Sequence, residues 1–368
     1  MSNPADVVVV GGGAVGSACA WALSGAGARV TVVQRPDTPG EAWRAAAGML
    51  AAQIEARADD PLLTLALAGR SFYRRRAAEL RESTGIDIGL IECGALQVAQ
   101  TEAEVADLQE QVAWQRQQAH HADWLDVDDV RDGWPWLAPC LGAFWSPDDG
   151  ALDPARLVAA FQRGASARGV TFVADVAVGL ERSGDRLMGV VGEQRRYSAP
   201  IVVIAAGAWA GRLENLPRPL SVEPVRGQML EYRWPAGVPP TIVYGNHCYL
   251  MYRGAELLAG STMEHVGFDV QVTSEGIADV RRRVGALYSP VAAGAPERSW
   301  AGLRPGTPDG LPIIGPEPRL SGLWYATGHG RNGILLAGIT GELIARGVSG
   351  EAIGTELAAV RPTRFWSW

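Results

Sequence analysis

Residues 7–16 read Val-Val-Val-Val-Gly-Gly-Gly-Ala-Val-Gly, and this stretch decides the fold. Four β-branched residues in a row, with Asp6 before them, suit a short strand buried on both faces, as in a parallel sheet. Gly11, Gly13 and Gly16 follow as G-x-G-x-x-G, and the Ala-rich run Ala14–Ser24 predicts a helix. The three glycines serve, in order, the tight turn, close backbone approach to phosphate, and close packing of helix on strand. The first helical N–H groups, around Ala14 and Val15, supply donors and positive dipole to an anion. Ala28–Val33 completes a strand–turn–helix–strand unit. A dinucleotide pyrophosphate is the ligand expected, with a purely structural glycine turn as the alternative.

At the other end of the chain, residues 324–336 read Trp-Tyr-Ala-Thr-Gly-His-Gly-Arg-Asn-Gly-Ile-Leu-Leu, again a strand, a glycine-rich turn and a helix. One cofactor long enough to touch both turns ties the two ends into one domain, and FAD is such a cofactor. The acidic residue that ordinarily accepts from the adenosine ribose at the end of the second strand is replaced by Gln34, followed by Arg35. Gln can still bond hydroxyls but is neutral, which counts against a nicotinamide-dependent dehydrogenase.

Composition fits a globular enzyme. A chain of 368 residues exceeds the size at which single cores stop growing, so two domains are expected. Hydrophobic residues at 47% and charged residues at 20% exclude a disordered chain. The net charge of −7 and the lack of a dense Lys/Arg run argue against nucleic acid. Cys19, Cys93, Cys140 and Cys248 are dispersed, without a His/Cys cluster, so neither a metal site nor a disulfide framework is expected. No basic region precedes the first strand, and no apolar stretch reaches the roughly 20 residues that span a bilayer. A cytoplasmic protein without a membrane partner is the expectation, and a homo-oligomer stays open.

The middle of the chain alternates helical and strand patterns. Residues 44–52, Arg-Ala-Ala-Ala-Gly-Met-Leu-Ala-Ala, are small, and Gly48 allows close approach to something flat or charged. Pro61–Glu82 and Glu102–Gln118 predict helices, and Leu90–Ala99 a strand. Trp134, Trp136 and Trp145 are expected in the core, with a pocket wall as the alternative. Asp153-Pro154 starts a helix to Arg168, with an N-cap and a first-turn proline. Val170–Val173 and Val176–Leu180 follow as strands, with a hairpin at Ser183-Gly184-Asp185. Residues 201–209, Ile-Val-Val-Ile-Ala-Ala-Gly-Ala-Trp, read as a buried strand whose small-residue end, at Ala206 and Gly207, abuts the cofactor. Val225–Tyr232, Thr241–Tyr244, Tyr249–Arg253 and Glu256–Ser261 read as an antiparallel sheet. The expected division is 1–85 with 145–220 and 300–368 as a discontinuous FAD-binding domain, and 86–144 with 221–299 as the substrate domain.

On these residues the chain resembles the D-amino acid oxidase-type flavoproteins, closest in pattern to the glycine oxidases of thiamine biosynthesis. The similarity spans nearly the whole chain. It rests on the segments starting at Gly11 (Gly-Gly-Gly-Ala-Val-Gly), Ala45 (Ala-Ala-Ala-Gly-Met-Leu), Asp149 (Asp-Gly-Ala-Leu-Asp-Pro-Ala-Arg-Leu) and Val225 (Val-Arg-Gly-Gln-Met), and on 300–315 and 328–336. The resemblance implies an α/β architecture: a Rossmann-type FAD-binding domain with a second, antiparallel-sheet substrate domain, p-hydroxybenzoate-hydroxylase-like. It implies FAD, held non-covalently since no Cys follows Cys248. It also implies oxidative deamination of glycine, or of sarcosine or a small D-amino acid, to the 2-oxo acid, ammonia or amine and hydrogen peroxide, with molecular oxygen as acceptor.

The cofactor contacts so implied are Gly11, Gly13, Ala14, Val15, Gly16, Gln34, Arg35, Ala46, Ala47, Gly48, Met49, Val176, Ala206, Gly207, His329, Gly330, Arg331, Asn332, Gly333 and Ile334. For the substrate, Arg304 offers a planar guanidinium that takes a carboxylate bidentately, and Tyr249 resembles a family tyrosine that donates to the same carboxylate. Arg331 is a second carboxylate ligand or a steadier of its loop. His247, read as a strand-end histidine, and Met263, read as a buried methionine, resemble pocket residues. No carboxylate or His stands out as a base, so hydride transfer to flavin N5 is expected. The alternatives are oxidation of a larger N-substituted glycine or secondary amine, and a flavin dehydrogenase using another acceptor. A non-catalytic, flavin-stabilised partner protein is a further one.

Overall fold

The computed structural model describes residues 5–36, 38–57, 60–353 and 355–365; the extreme ends of the expected cofactor-domain segments lie outside them. A six-stranded sheet runs in the order Ile313–Pro316, Leu323–Thr327, Ile201–Ile204, Val7–Val10, Val30–Gln34 and Thr171–Ala174. Every neighbouring pair is parallel except the first. Strands from the beginning, middle and end of the chain thus form one layer, as a shared cofactor requires. Val7 and Val9 pack into the helical core, whereas Val8 and Val10 pack toward a three-stranded sheet on the other side. Both faces are covered, which is why the strand is uninterrupted valine.

The helix Ala14–Gly25 lies against Gly333–Val348 and Pro154–Ala167. Its approach to the first strand requires glycine: a Cβ on Gly16 would sit 1.9 Å from the Gly11 carbonyl oxygen. Gly11 itself has φ +105°, a left-handed conformation that L side chains resist.

The second layer is an eight-stranded sheet ordered Arg298–Gly306, Glu223–Arg233, Glu256–Gly260, Cys248–Arg253, Ile242–Gly245, Ala95–Ala99, Gly142–Ser146 and Asp123–Leu125. Its pairs are antiparallel except Ile242–Gly245 with Ala95–Ala99, which is parallel. Two of its strands, Gly142–Ser146 and Arg298–Gly306, cross the divisions expected at 144/145 and 299/300. The helix Ser274–Gly285, capped by the Thr273 side chain, packs on this sheet, where the sequence pattern had shown strands alone.

Other departures are local. The expected strand Leu90–Ala99 begins at Ala95, because Gly94 turns left-handed at φ +68°. The run 201–209 stops as a strand at Ile204 and becomes a 3-10 turn, Gly207–Arg212. Trp134, Trp136 and Trp145 pack against the core cluster of the eight-stranded sheet, with ring contacts of 5.2 Å between Trp134 and Trp145 and 5.5 Å between Trp136 and Trp234. Among the described residues no helix is long and apolar enough to cross a membrane, and no His/Cys/Asp/Glu group could hold a metal.

Candidate active site

A single cavity of about 1400 Å³ lies between the two sheets. That exceeds the roughly 300–1,000 Å³ of ordinary small-ligand pockets, as a dinucleotide plus a substrate demands. At one end it is lined by Gly11, Gly13, Ala14, Val15 and Arg35. Ala46, Ala47, Gly48, Met49, Val176, Ala206 and Gly207 carry the wall onward to His329, Gly330, Arg331, Gly333 and Ile334. Beyond them stand Tyr249, Arg304, Met263 and His247.

Three expected contacts are not on this wall. Gly16 is occupied by packing on the strand. Gln34 is turned across the glycine loop, where a Cβ on Gly12 would meet its Oε1 at 1.9 Å, and the wall at that point is Arg35. Asn332 closes the 3-10 turn Gly330–Asn332. Gly48 does line the cavity, but its φ of +99° serves packing: a Cβ there would lie 2.0 Å from the Leu152 carbonyl oxygen.

Two helices start at this wall, Ala14–Gly25 and Gly333–Val348, and neither has a side-chain cap. The helices Glu102–Gln117, Val127–Gly133, Pro154–Ala167 and Ser274–Gly285 are all capped, by Thr101, Asp126, Asp153 and Thr273. Leu63–Thr84 and Ser289–Ala293 are uncapped too, so what makes the N–H groups of the starts at Ala14 and Gly333 available to a ligand is their position on the cavity wall. One end offers pyrophosphate-type binding and the other a site for a developing negative charge. The residues present therefore fit FAD: Gly11, Gly13, Ala14 and Val15 would hold its phosphates, with Gly330, Gly333 and Ile334 at its ring end.

His329 is 3% exposed and its Nε2 lies 3.1 Å from Thr340 Oγ1. Burial drives its pKa from 6.5 to about 3, so it is neutral at physiological pH. Between those values the unfolded chain binds a proton that the folded chain refuses. Stability is therefore lost as pH falls through 6.5 toward about 3, by about 1.4 kcal/mol per unit. Urea unfolding between pH 4 and pH 7 checks this, and His329→Asn should flatten the profile.

At the substrate end, Arg304 is half-buried. Its Nη1 donates to the Thr262 carbonyl at 3.2 Å and its Nη2 to Ser261 Oγ at 2.6 Å. It forms no ion pair among the described residues, and burial lowers its pKa, with Tyr249 opposing. Glu55 and Glu264 act on it from a distance, and a guanidinium on a cavity wall with no ion pair of its own is a receptor for an anion. Tyr249 stands beside it, its hydroxyl on Met229 Sδ at 3.2 Å; burial pushes its pKa up to about 12, so it remains a donor.

Arg331 is already paired, at 2.5 Å to Glu55, which also accepts from the Tyr244 hydroxyl at 2.6 Å. Glu55 raises the pKa of Arg331. His247 is not at a strand end: with Asn246 it forms a two-residue hairpin turn with φ of +50° and +57°, exposed at the cavity mouth. Met263 is not buried but 57% exposed at the same mouth.

Glu55 is the residue that sequence reasoning missed. It sits in a turn whose backbone N–H groups at Ala52, Gln53 and Ile54 all donate to the buried Asp149 carboxylate. Asp149 is paired at 2.6 Å with Arg70, which is 7% exposed. Burial raises the Asp149 pKa, while Arg70 and the N–H groups pull it back.

A family model described as FAD dependent oxidoreductase (DAO) matches residues 6–346. The chain belongs to this family. It is 37% identical to a glycine oxidase of Geobacillus kaustophilus over 99% of this chain and 98% of that protein. The crystal structure of glycine oxidase from Geobacillus kaustophilus superposes with a TM-score of 0.93, at 34% identity and covering 100% of both chains. A bifunctional ThiO/ThiG protein of Synechocystis is 35% identical over 99% of this chain, which spans 55% of that longer protein. The chain is thus an FAD-dependent amino acid oxidase of the glycine oxidase type.

Proposed function

We propose that this oxidase acts on glycine, converting glycine, water and dioxygen to glyoxylate, ammonia and hydrogen peroxide, with sarcosine and small D-amino acids as further substrates. The observation that carries this reading is Arg304, a guanidinium on the wall of the cofactor cavity that forms no ion pair among the described residues. FAD, when bound, supplies the two-electron acceptor and the route to dioxygen. Arg304 takes the substrate carboxylate bidentately, and the Tyr249 hydroxyl donates to the same group. Fixing the carboxylate orients the Cα–H, and such positioning accounts for several kcal/mol of barrier reduction. The Glu55–Arg331–Tyr244 group closes the side wall as a charge-compensated unit.

A peroxide-coupled screen of glycine, sarcosine, D-alanine and longer N-alkylglycines tests the reading. Glycine turning over fastest supports it. The cavity also continues past Arg304 to a mouth lined by Gln97, Glu104, Arg283 and the exposed Met263, and that space favours a second reading, an N-substituted glycine. Turnover only with the longer amines would select it. Turnover with an artificial acceptor but not with dioxygen would replace the oxidase by a dehydrogenase. The ThiO/ThiG relative further supports placing the product in thiamine biosynthesis.

FAD is expected to be dissociable. Cys19 and Cys248 are buried and Cys93 partly so, with thiol pKa values pushed up to about 12, 11 and 12, so none of these three is a ready thiolate nucleophile. Acid precipitation should leave the flavin in the supernatant; flavin in the pellet would show a covalent link.

Neither Glu55, paired with Arg331, nor His247, exposed at the mouth, is poised as a proton-abstracting base. His247→Ala and Glu55→Gln are each expected to keep flavin bleaching by glycine within about tenfold of wild type, and a loss of roughly 10²-fold or more marks a true general base. The ascending limb of the pH profile should follow deprotonation of the substrate amine. Anaerobic stopped-flow across pH measures both.

A further inference from the structure

The segment Val225-Arg-Gly-Gln-Met carries part of the family resemblance, yet nothing in the reaction so far uses it. In the edge pair of the eight-stranded sheet, Val225 stands opposite Arg304 and Gly227 opposite Gly302. Gly227 is therefore the diagonal neighbour of Arg304 on the same face. The guanidinium lies directly over it: a Cβ on Gly227 would sit 2.1 Å from Nη1, 2.4 Å from Nη2 and 2.5 Å from Cζ of Arg304. Any side chain there expels the guanidinium from its seat.

The alternate residues Arg226 and Gln228 point to the opposite face, where they fasten the segment 261–273. Arg226, 4% exposed, pairs with Glu264 through Nη2 and with Asp269 at 2.7 Å. Its backbone exchanges both hydrogen bonds with Glu264, at 2.9 and 3.0 Å. The Gln228 backbone N–H donates to Thr262 Oγ1 at 2.9 Å, and its side chain reaches Glu264 Oε1 at 2.8 Å and the Thr273 N–H at 2.8 Å. This fastened segment carries the Thr262 carbonyl and Ser261 hydroxyl that receive the two Arg304 nitrogens.

We propose that Arg226, Gly227, Gln228 and Glu264 are positioning residues that together aim the Arg304 guanidinium. One face of the strand leaves the space for it, and the other holds the segment that orients it. The inference rests on the reading that Arg304 binds the substrate carboxylate.

The test uses the holoenzyme, with acetate as a carboxylate probe read by perturbation of the flavin absorbance, alongside glycine kinetics, FAD content and Tm. Gly227→Ala and Arg226→Met should each weaken acetate binding by about tenfold or more, raising KM for glycine more than they lower kcat. Arg226→Lys should fall between, because a point charge cannot fork to two carboxylates. Gly227→Ala should add nothing in an Arg304→Ala background, since the group it displaces is gone. Unchanged acetate affinity in both single variants, with Arg304→Ala impaired, overturns this inference alone, as does a further loss in the Arg304→Ala background. Unchanged affinity in Arg304→Ala itself overturns both this inference and the carboxylate reading. Glu264→Gln, nearly isosteric and on the segment that carries Ser261 and Thr262, carries the same readout should Gly227→Ala not fold.

Discussion

Arg304→Ala lowers kcat/KM for glycine by roughly a hundredfold or more, about 3 kcal/mol, while FAD content stays at the wild-type level. The size follows from the environment. The guanidinium already pays for burial in a lowered pKa and, among the described residues, has Ser261 and the Thr262 carbonyl as its hydrogen-bond partners, which leaves N–H donors for an incoming carboxylate. Arg304→Lys should recover little, because an ammonium cannot form two parallel bonds to a carboxylate. The cofactor would be undisturbed, since the residues fitted to its phosphates lie at the opposite end of the cavity. Steady-state kinetics with the flavin-to-protein absorbance ratio provide the measurement. Near-normal turnover would make Arg304 a structural residue held by Ser261 and Thr262.

The parts of this site that could be read in the sequence are those whose geometry is local. The glycine turn at 11–16 needs only its own strand and helix, and the helix start at Asp153-Pro154 is written in two adjacent residues, so both were legible. Arg304 was legible from its Gly-Leu-Arg-Pro setting as a residue in a turn after a strand, whereas it lies within the strand Arg298–Gly306, opposite Val225. Glu55 was not, since nothing near it is periodic or catalytic in pattern. Its place in the wall depends on Asp149, far along the chain, which gathers three successive N–H groups of its turn. Gln34 is less local: the end of the second strand points to a ribose ligand, and here its side chain lies over Gly12, which itself lines the cavity. His247 read as a strand end because Tyr244 and Tyr249 flank it with strand-like residues; a two-residue turn with both residues left-handed carries no glycine to announce it. The strand Arg298–Gly306 shows how a domain boundary blurs, because it runs across the expected division at 299/300 and carries Arg304 on the edge of the eight-stranded sheet.

The dependence on Asp149 yields the second large effect. Asp149→Asn keeps the shape of the side chain but removes the charge that compensates Arg70, which is 7% exposed and held at 2.6 Å. Asp148 is the other carboxylate near Arg70, at 3.9 Å and more exposed, too distant to substitute. Breaking a buried pair by removing one partner costs about 3–5 kcal/mol because the other charge is left uncompensated. In addition, an amide offers one acceptor oxygen where three N–H groups from Ala52, Gln53 and Ile54 converge. The turn should therefore loosen together with the global loss of stability, and Glu55 should release Arg331. Thermal unfolding of Asp149→Asn is expected to show a clearly lowered Tm, and glycine kinetics at a temperature where the variant is still folded should show a raised KM. Arg70→Met with Asp149→Leu, which removes both charges and restores apolar volume, should regain much of the Tm without regaining KM, because the turn would still lack its acceptor. Recovery of both together would mean that the pair acts on the site only through global stability; a double variant no more stable than Asp149→Asn would mean that the carboxylate's bonds to the turn, and not the stranded Arg70 charge, carry the loss.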